Sequence, residues 1–132
     1  VNEYRQKFPQ KAVTFYAQNY PAMGWAVFMA GGSCPVIPCT DKAFLKDAAA
    51  MKVEETNTDE YKKMVKSDIG SIIYSKSGTE IPVQLSSGKY VLKYIHPASG
   101  KIETMNKSLK INGLYKLKVP DKKEGIYWFH KL

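Results

Sequence analysis

The side chains that could carry out chemistry are few and widely spaced. Cys34 and Cys39 are the only cysteines, and His96 and His130 are the only histidines. A cysteine nucleophile needs a positioned histidine, and a structural zinc site needs about four ligands. Both histidines lie far along the chain from the cysteines, so we predict no metal site. Two prolines hold the segment between the cysteines extended, which favours free thiols over a short disulfide.

The acidic side chains are not arranged as a catalytic pair. Hydrolysis of a glycosidic bond needs two carboxylates on opposite sides of that bond. Glu3 lies near the first residue, and Glu54 and Glu55 are neighbours in a segment of mixed charge. Asp41 and Asp47 are better explained as a helix cap and as helix surface. We therefore predict no catalytic residue and no cofactor in this chain.

Aromatic side chains are the best candidates for ligand binding. Tyr94 and Trp128 lie in segments that alternate like strands, and exposed rings on strands can act as flat apolar platforms. Tyr94 lies on the more apolar face of its segment, and both faces around Trp128 are aromatic, which favours packing in the core and leaves a platform role open. His96 lies beside a proline in a turn. Tyr94, His96 and Trp128 are the predicted binding residues.

Length and charge limit the class of protein. A chain of 132 residues can form one ordinary domain, but it is too short for a complete (β/α)8 barrel of roughly 250 residues. The net charge is +8, but basic and acidic side chains are mixed along the chain, so we predict no nucleic-acid partner. No apolar run reaches the ~18 residues of a membrane span. The first residues also lack the pattern of a signal peptide.

A first helix is predicted over residues 9–30, with a break at Pro21, because apolar side chains recur there at three- and four-residue spacing. The part from 22 to 30 is apolar almost all round, and a chain of this length has little with which to bury it. We therefore predict that Trp25 and Phe28 are interface residues covered by a partner.

A second helix is expected to begin after Thr40 or Asp41 and to run to about Met51. Its predicted apolar stripe consists of Phe44, Leu45, Ala48 and Ala49. A short helical turn is also predicted at 60–65.

From Ser71 onward the hydrophobic period changes from 3.6 to 2, which indicates strands. Seven short strands are predicted, at 72–75, 81–85, 89–95, 101–104, 108–111, 114–119 and 126–132. Asn112-Gly113 is expected to form a hairpin turn, and Pro82 indicates that its strand lies at a sheet edge or begins there. The predicted fold is mainly β, a small antiparallel β-sandwich of about seven strands after an N-terminal helical segment.

Residues 88–101 carry a family resemblance. They read Gly-Lys-Tyr-Val-Leu-Lys-Tyr-Ile-His-Pro-Ala-Ser-Gly-Lys, which is two alternating segments around a Pro-x-Ser-Gly turn. This stretch resembles the Gly-x-Tyr-x-Val-x-Trp-(Asn/Asp)-Pro-x-Thr-Gly hairpin of the family named for a collagen-binding domain of a collagenase. That family forms the C-terminal β-domain of bacterial secreted glycoside-hydrolase-like proteins. Residues 24–33 and 40–51 resemble the last barrel helix and the linker helix that precede it.

The resemblance implies a non-catalytic accessory domain of a glycoside hydrolase that acts in carbohydrate processing. Residues 1–51 would be the end of the barrel plus the linker helix, and 52–132 the β-sandwich. The implied partners are a catalytic barrel domain, or a second copy of the chain, bound through residues 22–30, with a polysaccharide as a further candidate. The implied location is secreted, periplasmic or on the cell surface. The alternative is a free-standing extracellular module that binds polysaccharide or protein.

Overall fold

The computed structural model describes residues 25–26, 28–30, 37, 41–56, 58, 60–76, 80–119 and 124–132. Within these residues the fold is mainly β, as the sequence predicts. Most of the helix predicted over 9–30, both cysteines, Glu3 and the residues at 77–79 lie outside the described residues.

All six described strands belong to one antiparallel sheet with the spatial order β1-β2-β3-β6-β4-β5. The last strand of the chain therefore lies in the middle of the sheet, between β3 and β4. The strands are β1 Lys52–Glu54, β2 Tyr61–Lys66, β3 Gly70–Ser75, β4 Glu80–Ile95, β5 Ile102–Lys118 and β6 Gly125–Lys131.

One helix, α1, spans Lys42–Ala50 and precedes the sheet. The Asp41 carboxylate accepts a hydrogen bond from the backbone N–H of Phe44 at 2.9 Å, which satisfies a donor in the first turn. Asp41 is therefore the N-cap. Phe44 and Ala48 are buried, as predicted, whereas Leu45 is exposed.

Helical residues cover one face of the sheet. Trp25, Ala26, Phe28 and Met29 are helical, and Trp25, Phe28 and Met29 pack together with α1 on side chains from four strands. We call this the helix-side core. It contains Trp25, Phe28, Met29, Phe44, Ala48, Met51, Met64, Ile72, Tyr74, Ile95, Ile126 and Trp128.

The long β4–β5 hairpin covers the other face. Strand β6 pairs with β4 only from Tyr90 to Ile95, so the first half of β4 extends beyond it, and β5 is its only partner among the described strands. The extended half turns back over the sheet, where the Lys63 ammonium donates to the Pro82 carbonyl oxygen at 3.0 Å. The resulting hairpin-side core contains Ile73, Ile81, Val83, Leu85, Tyr90, Leu92, Ile111, Leu117, Tyr127 and Phe129.

This arrangement corrects the predicted β-sandwich. The described strands form one open sheet rather than two packed sheets, and there are six of them rather than seven. Five of the predicted short strands are parts of β4 and β5, two in β4 and three in β5, because β-bulges bend these long strands without ending them. Pro82 does lie in an edge segment, as predicted.

Two local predictions were wrong. Asn112-Gly113 is not a hairpin turn, because β5 continues through it and Gly113 pairs with Leu85. Gly113 has a φ of +94°, so its conformational freedom serves a bend at the bulge instead of a chain reversal. The segment 60–65 is also not helical, since Tyr61–Lys66 form β2.

Candidate functional site

The three predicted binding residues lie on opposite faces of the sheet. Tyr94 and His96 are close together, with ring centroids 4.7 Å apart at the β4–β5 turn. Trp128 belongs to the helix-side core and is fully buried. The structure therefore brings together two of the three residues and separates the third.

The β4–β5 turn has the geometry that the sequence predicts. The His96 N–H donates to the Lys101 carbonyl oxygen at 2.9 Å, and the Gly100 N–H donates to the His96 carbonyl oxygen at 2.8 Å. Gly100 has a φ of +74°, the left-handed conformation that glycine favours. The Trp25 indole N–H donates to the Pro97 carbonyl oxygen at 2.8 Å. The turn is therefore tied directly to the helical residues.

The Tyr94 side chain makes a hydrogen bond, a ring contact and a close contact with the backbone. Its hydroxyl donates to the Glu124 carbonyl oxygen at 2.9 Å, and its ring packs edge-on to Tyr127 at 5.4 Å between centroids. A Cβ at Gly125 would overlap the Tyr94 ring, so the glycine allows the ring to lie against the backbone. Burial raises the pKa of Tyr94, and the charges of Glu103 and Glu124 add to the effect. These contacts favour a structural role for Tyr94.

His96 faces an acidic side chain. Its Nε2 lies 3.3 Å from a Glu103 carboxylate oxygen, and Lys101 lies 3.6 Å from the other oxygen. The contact with His96, and then the charge of Lys101, hold the pKa of Glu103 below its ordinary value. Glu103 is exposed, whereas the Nε2 atom of His96 is buried and makes no hydrogen bond within the described residues, so it is the Glu103 carboxylate that can accept hydrogen bonds at the surface.

A buried hydroxyl lies next to this group. Tyr127 is fully buried, and its hydroxyl has no hydrogen-bond partner within the part of the chain that the structure describes. Burial, followed by the neighbouring Tyr94, raises the pKa of Tyr127 to about 12. Burial and the Glu124 carboxylate, to which the Tyr74 hydroxyl donates, raise the pKa of Tyr74 as well.

Asp47 was predicted to be helix surface, and the structure shows that it is buried. One of its carboxylate oxygens accepts from the Trp128 indole N–H at 2.9 Å and lies 2.6 Å from His130 Nδ1. The same Trp128 ring has the Lys93 ammonium at 4.9 Å from its centroid. Helical spacing could have revealed Asp47, because it lies three residues after Phe44 and one before Ala48, on the stripe that faces the sheet.

The Asp47–His130 pair borders an open depression of about 400 Å³, which Lys46, Asp68 and Ile69 also line. The short contact to Asp47 fixes His130 through Nδ1 and leaves Nε2 directed away from the carboxylate. A histidine held in this way can act as a base or a metal ligand. Within the described residues, however, no group of three or more side chains is arranged to hold a metal ion.

A second cavity of about 290 Å³ lies between the first helical residues and strands β1 to β3. Met29, Val53 and Tyr74 line it, and Glu54, Glu55 and Lys62 are among its charged neighbours. Glu54 forms an ion pair with Lys63 at 3.4 Å.

The predicted interface residues are core residues of this chain. Trp25 is fully buried and Phe28 is 8% exposed, since both pack on Phe44. Phe44 in turn packs on Trp128 at 5.4 Å between ring centroids. Docking of a partner at 22–30 stays a prediction, but neither of these side chains is available for it in this conformation. The exposed residue of the described set there is Ala26.

Comparison with known proteins gives two findings. The family described as "Domain of unknown function (DUF6298)" matches residues 1–51. Among solved structures, a chain titled "Glycoside hydrolase" is similar over 60% of this chain, with 15% sequence identity and a TM-score of 0.46, and the matched part is 19% of that chain. No curated protein matches. None of these findings names the collagen-binding domain family. Among the described residues no helix has the length and apolar character of a membrane span.

Proposed function

We propose that this chain is a non-catalytic accessory β domain of a glycoside-hydrolase-like protein that acts on carbohydrate outside the cytoplasm. In this proposal the N-terminal segment joins the β domain to a catalytic barrel. The domain boundary near residue 52 is part of the proposal, and the family match, which ends at residue 51, supports it.

The observation that carries the proposal is the contact between Trp25 and Pro97. Residues 24–33 and 88–101 are the two stretches that resemble the family in sequence, and they lie far apart along the chain. In the structure the Trp25 indole N–H donates to the Pro97 carbonyl oxygen at 2.8 Å. The β4–β5 turn is thus hydrogen-bonded to the segment that resembles the last barrel helix. A β domain in a fixed position on a barrel requires a direct contact of this kind.

Three of the carboxylates considered for catalysis have partners among the described residues, which is consistent with a non-catalytic role. Asp41 caps α1, Asp47 is bonded to Trp128 and His130, and Glu54 pairs with Lys63.

One observation favours the alternative, a free-standing extracellular binding module. Trp25, Phe28 and Met29 are buried by the sheet of the same chain. These described residues of the apolar helix, which the sequence predicts to need a partner, are therefore covered without one.

The deciding experiment concerns the complete reading frame that encodes this chain. A barrel with two catalytic carboxylates upstream of residue 1 would support the accessory role. An unrelated upstream domain, or none, would contradict it and favour the free-standing module.

A biochemical test accompanies it. The isolated chain is expected to hydrolyse no aryl-glycoside. Turnover that Glu54→Gln or Glu55→Gln abolishes would show that the chain is itself an enzyme, and Lys52→Gln serves as the surface control.

A further inference from the structure

The positive charge of the protein is concentrated on the β4–β5 hairpin. Seven of the twenty basic side chains but two of the twelve acidic ones lie between Glu80 and Lys118, so this hairpin carries five of the eight net positive charges. The sequence alone suggests that basic and acidic side chains are mixed evenly along the chain. The pairing of β4 with β5 brings these lysines onto one hairpin, and β5 forms an edge of the sheet.

Both acidic side chains of the hairpin already have cationic neighbours. Glu80 lies 3.8 Å from Lys116, and Glu103 lies 3.6 Å from Lys101. The remaining five lysines of the hairpin form no ion pair with any of the described residues. They are Lys89, Lys93, Lys107, Lys110 and Lys118.

Lys89 and Lys110 are direct cross-strand partners and both are exposed. Directly opposed side chains on neighbouring antiparallel strands have Cβ atoms roughly 5 Å apart, and like charges at such positions destabilise the sheet. An anion between the two ammonium groups would offset this repulsion.

The same face continues along β4. Lys93 lies four residues after Lys89, so the two side chains point to the same side of the strand about 13 Å apart. Strand β4 is regular here, because it pairs with β6 without interruption from Tyr90 to Ile95. Exposed Thr104 is the cross-strand partner of Lys93 and adds a hydroxyl group to the face.

We propose that this face, which we call the lysine face and define by Lys89, Lys93 and Lys110, binds an acidic polysaccharide through its carboxylate groups. The proposal rests on the proposed function, which supplies the carbohydrate, and it deepens that function by naming a class of ligand. Charge complementarity supplies the attraction. The spaced lysines fit a polymer that carries repeated single charges, and the neighbouring Thr104 hydroxyl can bond to sugar hydroxyls.

Two alternative roles for these lysines predict different results. Lysines on an edge strand can simply prevent pairing with other chains. A duplex nucleic acid would also be attracted to cations through its phosphates.

The test is binding of the whole chain to polygalacturonate, with neutral galactan and duplex DNA as comparison ligands. The chain should bind polygalacturonate best, and added salt should weaken that binding. Lys89→Gln/Lys110→Gln should weaken it by about 25-fold, since each cation at an anionic surface contributes about five-fold.

Lys52→Gln/Lys66→Gln removes two exposed charges from β1 and β2, the strands at the other edge of the sheet, and is the matched control, with an expected loss of less than about two-fold. Equal losses in both double variants, or tighter binding to DNA, would overturn the lysine face. Unchanged binding with self-association of Lys89→Gln/Lys110→Gln would instead assign these lysines to edge protection. Binding to neutral galactan alone would overturn this inference and leave the proposed function intact.

Discussion

The Asp47 carboxylate joins helix α1 to strand β6. It accepts from the buried Trp128 indole N–H at 2.9 Å and contacts His130 Nδ1 at 2.6 Å. Loss of a buried acceptor leaves its donors unpaired, and the full cost of their desolvation then appears. Asp47 therefore contributes more to stability than its place on a short helix suggests.

Asp47→Ala should lower the free energy of unfolding by about 2–4 kcal/mol, since a charged acceptor is lost and a buried donor is left unpaired. Asp47→Asn retains one acceptor and should cost less. Urea unfolding followed by tryptophan fluorescence measures both. Asp68→Ala, in an exposed turn, is the control and should change stability by less than about 0.5 kcal/mol. Equal midpoints for Asp47→Ala and Asp68→Ala would contradict the role of Asp47.

The Tyr127 hydroxyl makes stability dependent on alkaline pH. Burial raises its pKa from 10.0 to about 12 in the folded protein. Between these values the unfolded chain releases the proton while the folded chain keeps it, so stability falls as the pH rises.

Tyr127→Phe should therefore flatten the loss of stability between pH 10.0 and about 12. At neutral pH it should change stability little, because this hydroxyl has no partner among the described residues. Urea midpoints measured across this pH range test both statements. A residual fall is expected, because the pKa values of Tyr74 and Tyr94 are raised as well. A fall in Tyr127→Phe as steep as that of the unaltered chain would contradict the role of Tyr127.

Among the secondary-structure elements, the close pairing of β3 with β6 depends on Gly70. It pairs with His130, has a φ of +152°, and a Cβ there would overlap the Phe129 carbonyl oxygen. Backbone cannot move aside as a flexible side chain can. The first residue of β3 is therefore required to be glycine.

Gly70→Ala should destabilise the protein by about 3 kcal/mol or more, because a buried overlap adds to the strained φ. Gly113→Ala is the matched control: its φ of +94° is also strained, but the nearest atom to a new Cβ is the Gln84 side-chain nitrogen at 3.6 Å. This control should cost about 1–2 kcal/mol. Thermal unfolding followed by circular dichroism compares them. A smaller effect at Gly70 than at Gly113 would show that β3 and β6 separate easily.

At the scale of the whole molecule, the helical residues and the sheet share one core. Trp25, Phe28 and Phe44 pack against Trp128 and Ile72. The proposed boundary near residue 52 therefore lies between two segments, the helical residues and the sheet, that pack on each other in one hydrophobic core.

A fragment of residues 52–132 should keep β structure but lose cooperative thermal unfolding, because one face of its sheet is exposed to water. Each large apolar side chain uncovered forgoes about 1.5–3 kcal/mol of burial. Circular dichroism melting and binding of a hydrophobic dye compare the fragment with the full chain. A fragment that unfolds as cooperatively as the full chain would establish the β part as an independent domain.

Local patterns in the sequence predict much of this fold. The change from helical to alternating period predicts the mainly β class, and Thr40-Asp41 marks the start of α1. The turn residues after Tyr94 and His96 predict the β4–β5 hairpin. Each of these signals acts over a few residues, through backbone preference and hydrogen bonds that the local chain supplies itself.

Tertiary packing decided the rest. Asn112-Gly113 could reverse the chain or bend it. The bend is favoured because it allows β4 and β5 to cover the sheet and form the hairpin-side core. Asp47 is buried because Trp128 and His130 of the sheet lie opposite it. Trp25 and Phe28 are core residues because they belong to the same apolar cluster as Trp128. The lysines of β4 and β5 became one charged face through pairing. Charge and burial depend on which distant segments meet, and a local pattern does not contain that information.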